Sequence, residues 1–406
     1  MRFRATLPLL GLLAGVAPAL AQEAEVIHWW TSEGESKAAR VLADAFEASG
    51  GTWVDNAIAG ASAARQASFT RIVAGDPPEA SQFNSGREFE DLAAQGLLTD
   101  ISAVAQEGNW DQTVPQALLA SAQIDGKVFA MPMNIHGRNW IWFNAKLLEE
   151  VGAEVPAGWG EDMFVALDKL KSAGKVPLAL SGTPSYELSL FESILLDIGG
   201  ANLWYGLYQH QAPEAFASAE LRQAFETYAR LRDYVDVGSP GRTWNAATNM
   251  VITGEAGFTS LGDWAKAEFA AAGQTAGVDY GCILPDGVLQ IGGDVFVFPK
   301  LSDDDAIKAQ QLLIETLADN TTLRNFNAAK GSIPPRADVD MTGTDVCAEK
   351  GSAALQISDT NVPRLTMLQP SSVAGEIQDL ISQFWNDPSL DIETAIARYT
   401  EIVLNG

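Results

Sequence analysis

Glu25-Val26-Ile27-His28-Trp29-Trp30 is a short, mostly apolar run that breaks into the polar stretch Thr31-Ser32-Glu33-Gly34-Glu35. Directly after it, Ala38, Val41, Leu42, Ala45 and Phe46 recur at helical spacing. The pair reads as a buried strand feeding a helix, and the pattern repeats. A second strand is expected over 52–58 after Gly50-Gly51, a helix over 63–73, a stop at Gly75-Asp76-Pro77-Pro78, and a third strand over 79–83. Strand and helix in alternation predict an α/β architecture with a mainly parallel sheet covered by helices. Ligands of such sheets sit beyond the carboxyl ends of the strands. Trp29, Trp30 and Glu35 then stand at the first such end, and Gln82, Asn84 and Arg87 at the third.

Upstream of this stretch, Arg2 and Arg4, an apolar segment from Leu7 to Val16 and the small-x-small sequence Ala19-Leu20-Ala21 read as an export signal cleaved after Ala21. No other segment reaches the roughly 20 apolar residues of a membrane helix. The expected mature chain is therefore soluble and exported, and the absence of a Cys after the cleavage point gives no support to a lipid anchor. Downstream the chain is more helical, with amphipathic stretches over 165–172, 188–198, 219–234 and 303–318. There is no low-complexity tether, which favours two lobes joined by several crossover strands over two domains on one linker.

The chain has 406 residues, with 26 Lys+Arg against 52 Asp+Glu and a formal net charge of −26. Such a chain is poorly suited to nucleic acid or an anionic membrane, because both require clustered cations to displace counterions. A neutral or cationic ligand is expected. Cys282 and Cys347 are the two cysteines, and in an oxidising compartment an even count favours a disulfide over two buried thiols. His28, His136 and His210 lack the paired spacing of a metal site, so no metal is expected.

Several local sequences, in order, resemble the extracellular solute-binding proteins that serve ABC sugar importers. They are Gly75-Asp76-Pro77-Pro78-Glu79, Ile124-Asp125-Gly126-Lys127-Val128-Phe129-Ala130-Met131-Pro132, and Trp142-Phe143-Asn144-Ala145-Lys146-Leu147-Leu148 with Gly152, Pro156 and Trp159. Gly254-Glu255-Ala256-Gly257-Phe258 with Gly262-Asp263-Trp264, and Gly331-Ser332-Ile333-Pro334-Pro335-Arg336, complete the series. Within that family, Trp29-Trp30-Thr31-Ser32 with Glu35 resembles the subgroup that binds glucose, mannose and related hexoses.

The resemblance implies a two-lobed periplasmic-binding-protein fold of the type II kind, with three crossovers and a ligand cleft between the lobes. Lobe one would hold 22–132 and 293–333, and lobe two 133–292 and 334–406. It further implies that the paired tryptophans wall the sugar ring and that Glu35 accepts from its hydroxyls. His136, Trp244 and Trp264 would come from the second lobe, and Asp294 and Lys330 from segments returning near the cleft. Gln369 stands where relatives often carry a His, so the hexose itself is left open. The implied partners are a hexose and the membrane permease, with the receptor a monomer.

A sugar offers apolar C–H faces and a rim of hydroxyls, which suits aromatic surfaces edged by carboxylates, amides and cations. Each residue also has a plainer reading. Trp29 and Trp30 are adjacent, so on a strand one of them faces the core. Glu35 also fits the first turn of a helix, where the macrodipole favours it. Asp294 fits a turn before the apolar 295–298, Lys330 a solvated surface and His136 a structural hydrogen bonder. The competing class is a secreted glycoside hydrolase using Glu35 and Asp294 as its carboxyl pair, although no nucleophile or metal motif accompanies them. A third reading keeps the fold and changes the ligand, to a di- or oligosaccharide or to another small solute such as a cation held by the tryptophans.

Overall fold

The computed structural model describes residues 22–86, 88–341, 345–355, 357 and 361–405. The expected export signal, residues 1–21, and Arg87 lie outside the described residues.

In chain order the early strands are β1 (Gln22–His28), β2 (Gly51–Ala57), β3 (Ala80–Asn84), β4 (Gln123–Ile124), β5 (Lys127–Val128) and β6 (Ala130–Pro132). They are followed by β7 (His136–Gly137), β8 (Trp140–Asn144), β9 (Val176–Leu178) and β10 (Ala256–Leu261). The last four are β11 (Tyr280–Ile283), β12 (Leu289–Gly292), β13 (Asp294–Val297) and β14 (Asn361–Pro363).

The first lobe is built on the sheet β2-β1-β3-β13-β6, in which β1 runs parallel to β2 and β3 while β13 is antiparallel to both its neighbours. Alternation in the sequence made the parallel part of this sheet legible; β13 arrives from far along the chain to complete it. The second lobe carries the sheets β11-β8-β10-β9 and β14-β12-β7. The chain leaves the first sheet at Pro132 and enters the third at His136, then returns between Gly292 and Asp294. Ile333 exchanges backbone hydrogen bonds with Ile135, so two passing segments are paired at the junction.

The β4–β5 hairpin turns on Asp125 and Gly126, both at positive φ, which is the Asp-Gly signature of a tight hairpin. One reading of length is corrected. The expected helix over 188–198 is part of Pro184–Tyr208, because the chain bends at Gly200 (φ 60°) and resumes helical geometry instead of stopping.

Two aromatic-rich cores hold the lobes. One joins the first sheet to Trp140, Trp142 and Phe269; the other packs Pro184–Tyr208 against Ala219–Leu231, Ser371–Asn386 and Ile392–Asn405. Cys282 of β11 is bonded to Cys347 of the helix Val346–Leu355. No helix among the described residues is long and apolar enough to cross a membrane.

The lobes touch. Gly34 N–H donates to Glu268 Oε1 at 2.9 Å, and a Cβ placed on Gly34 would lie 2.6 Å from the Ala267 carbonyl carbon. A second contact brings Gly86 (φ 130°) so close to Thr366 that a Cβ would stand 2.8 Å from its carbonyl oxygen.

Candidate ligand-binding site

β1 ends at His28, so Trp29 and Trp30 begin the loop that turns into the helix Glu33–Ala48. Ser32 caps that helix: its Oγ accepts from Glu35 N–H at 3.2 Å and its hydroxyl donates to Glu35 Oε2 at 3.3 Å. Glu35 Oε1 accepts from Lys330 Nζ at 2.9 Å, both residues being buried. Lys330 is the last residue of Asn320–Lys330, with Gly331 (φ 79°) ending the helix, so this ammonium sits at the favourable end of a helix dipole.

Asp294 opens β13. Its Oδ2 accepts from Asn134 Nδ2 at 2.8 Å and faces His136 Nε2 at 3.1 Å, while its N–H donates to Asn134 Oδ1 at 2.7 Å. His136 Nδ1 lies 2.5 Å from Asp263 Oδ1, so the ring bridges a carboxylate of each lobe. Burial alone would lower the His136 pKa, but the charges and hydrogen bonds of Asp263 and Asp294 outweigh it and raise the pKa above its ordinary value. Burial likewise works against the Asp294 carboxylate, and His136 with Lys330 and Asn134 overrides it, holding the carboxyl far below the usual range.

Trp264 packs edge-on against His136, with ring centroids 5.0 Å apart, and Arg138 lies 5.5 Å from its ring. Its indole N–H is buried beside the Tyr186 hydroxyl. The Gln82 side-chain oxygen accepts from Trp29 N–H at 3.0 Å, leaving Gln82 Nε2 unpartnered. The unpartnered Gln82 amide carries an uncompensated desolvation cost, which a hydroxyl accepting from it would relieve.

Thus Glu35, Lys330, Asp294, His136 and Trp264 form one connected group, with Trp29 and Gln82 at the end of the first sheet. The other expected residues are placed differently. Trp30 is core: it is 1% exposed, with Phe296 and Phe326 at 5.7 and 5.0 Å, because the strand has already ended and its ring falls into the lobe. Asn84 Nδ2 donates to Glu88, which also pairs with Arg65 at 3.3 Å; Arg65 in turn lies 5.9 Å from the Trp29 ring. Trp244 is half-buried at the start of Trp244–Ile252 and packs on the first core. Gln369 is committed to the second lobe, its amide donating to the Tyr208 carbonyl at 2.6 Å.

Tyr186, Arg138 and Arg364 escaped the sequence reading. Burial first, then the charges of Glu35 and Asp294, push the Tyr186 hydroxyl pKa well up, while Arg138 opposes them. The available signal was Pro184, a helix-start residue just before Tyr186. An apolar cavity of about 610 Å³ elsewhere, bordered by Phe143, Ile283 and the disulfide, has none of these groups on its wall.

With this geometry established, residues 30–315 match the family of bacterial extracellular solute-binding proteins. The chain belongs to that family. A probable sugar-binding periplasmic protein of Brucella suis is 35% identical over 389 residues, covering 92% of this chain and 91% of that protein. Among solved structures, a chitin oligosaccharide binding protein aligns at TM-score 0.79 and 16% identity, over 95% of this chain and 98% of its own. The bacterial solute receptor AcbH, described as having an exclusive preference for β-D-galactopyranose, aligns at 0.78 and 19% identity, over 94% and 97%. These solute-binding proteins share the two-lobed fold; their sequences are too distant to transfer a ligand.

Proposed function

We propose that this solute-binding protein is the periplasmic receptor of an ABC importer, exported by residues 1–21 and cleaved after Ala21, and that it captures one hexose by lobe closure. The observation that carries the reading is the Glu35–Lys330 and Asp294–His136–Asp263 pair of ion networks. They draw charged groups from both lobes to one place, beside Trp264 and the unpartnered Gln82 amide. Ring stacking on indole with hydrogen bonds to charged groups is the chemistry a pyranose needs. The sugar-binding names of the Brucella relative and of the solved receptors point the same way.

In the proposed division, lobe one is 22–132 with 293–333 and lobe two is 133–292 with 334–406. Ligand contact with both lobes raises the closed population by the ligand's differential affinity for that state. A permease then reads the closed shape, and the receptor works as a monomer without a cofactor. The hydrolase reading is disfavoured, because a general acid needs a raised pKa whereas Asp294 is held down and Glu35 is ion-paired.

Calorimetry on the mature chain with glucose, mannose, galactose, maltose and putrescine tests the proposal. Saturable heat from a monosaccharide, with the sugar recovered intact, is the expected result. Heat from putrescine alone, or cleavage of a glycoside, overturns it.

A further inference from the structure

Arg138 follows β7 and Arg364 follows β14, so the two flank the central strand β12 of the third sheet. Both stems lie over Gly292, where an added Cβ would meet Arg364 Cδ at 2.8 Å and Arg138 Cδ at 3.4 Å. The missing side chain of Gly292 is what lets two guanidinium groups pack side by side. Neither has a salt bridge among the described residues, and Arg138 Nε and Arg364 Nη1 are buried without a partner.

The acidic groups nearby are already engaged. Glu88 pairs with Arg65, and Glu192 accepts from Gln290 Nε2 at 2.9 Å; burial raises the Glu192 pKa, and the charges of Arg138 and Arg364 with the Gln290 bond offset that rise only in part. Burial first and the Arg138 charge second pull Arg364 down to about 10. Glu88 and Glu192 act on Arg364 from a distance and oppose that pull, but neither forms an ion pair with it. Two adjacent buried cations without a direct partner are unfavourable unless an anion completes them. On a chain of net charge −26, such a local reversal is needed for an anionic ligand to enter at all.

The pair adjoins the hexose group. Trp264 touches both His136 and Arg138, and Tyr186 feels the charges of Glu35, Asp294 and Arg138. The unpartnered Thr366 hydroxyl and Gln82 amide supply further polar atoms. We propose that Arg138 and Arg364 form an oxyanion subsite, and that the preferred ligand is a hexose derivative bearing a carboxylate or a phosphate. This rests on the hexose reading and adds a charged substituent to it. Guanidinium forks suit both oxyanions bidentately.

The test is calorimetry with glucose, glucuronate, galacturonate, gluconate and glucose 6-phosphate, on the mature protein and on Arg138→Gln, Arg364→Gln and Arg364→Lys variants shown by thermal unfolding to be folded. At least one sugar acid or sugar phosphate should bind tenfold or more tighter than glucose, and the arm that wins identifies the oxyanion. That preference should collapse in both Gln variants and fall partway in Arg364→Lys, which keeps charge but loses the fork. Glucose binding as tightly as every anionic derivative, or a preference that survives in the Gln variants, overturns the subsite while the hexose reading stands. No heat from any of these five overturns the subsite, and silence from mannose and galactose as well overturns the hexose reading with it.

Discussion

Lys330 Nζ lies 2.9 Å from Glu35 Oε1, a buried ion pair between the end of one helix and the first turn of another, 295 residues apart in sequence. Removing one member strands the other in a dry site. Glu35→Ala should destabilise the protein by about 3–5 kcal/mol and weaken sugar binding roughly 10- to 150-fold, as expected for lost bonds to a charged group. Glu35→Leu combined with Lys330→Met should recover most of the stability but not the binding. Glu149→Ala, an exposed change on Ala145–Val151, is the control. Denaturant unfolding and calorimetry read both quantities.

The His136 bridge predicts a pH profile. The His136 pKa is raised above 6.5, so its contribution to stability is complete below that value and is lost as pH rises through the folded pKa. The Asp294 pKa is depressed below 3.8, so its contribution is complete above that value and is lost as pH falls through the folded pKa. The network therefore stabilises most between about pH 4 and 6.5, and the melting temperature should decline on the alkaline side. His136→Gln should flatten that alkaline decline; an unchanged slope would show that another group is responsible.

The Cys282–Cys347 bond closes a loop with a sequence separation of 65. Chain-entropy reasoning puts its contribution at about 4 kcal/mol, less any strain. Reduction should lower the unfolding midpoint accordingly, and the oxidised, denatured chain should titrate no free thiol.

Gly34 is an interlobe contact that admits no side chain. Gly34→Ala suits a helix better than glycine, by up to about 1 kcal/mol, yet its Cβ would collide with Ala267 of the other lobe. The expected outcome is an unliganded protein at least as stable as wild type, a larger radius of gyration in solution scattering with sugar present, and weaker sugar binding.

The neighbouring tryptophans should separate cleanly. Trp30→Ala empties a core position and should cost about 3–5 kcal/mol of stability, whereas Trp29→Ala, half-buried beside Arg65, should act mainly on binding. Equal effects on stability would contradict the different burial of the two rings.

What the sequence revealed follows from the range of each signal. Periodicity and glycine stops exposed β1 to β3 and their helices, and an even cysteine count read with the expected export pointed to the disulfide. Glu35 drew notice because ligands of open sheets sit beyond strand ends, while its ion pair with Lys330 carried no mark in the sequence. Period-two reasoning could say that one of Trp29 and Trp30 is core but not which, since β1 stops at His28 and alternation no longer applies. Arg138 and Arg364 carry no periodic mark; they meet only because β7 and β14 flank β12. Gln369 follows from family pattern alone, and packing gives its amide to Tyr208 instead.

Strand order also sets a timetable for assembly. β3 pairs with β13, and β13 with β6, so the first sheet cannot be fully knitted until Val297 has been synthesised. At about 5–20 residues per second, on the order of ten seconds or more separates the appearance of Asn84 from that of its partner Asp294. Through that interval the amino-terminal third has no complete lobe to fold into. Under the export proposed above, the chain would stay threadable while a translocation channel receives it, by virtue of where its last central strand is encoded.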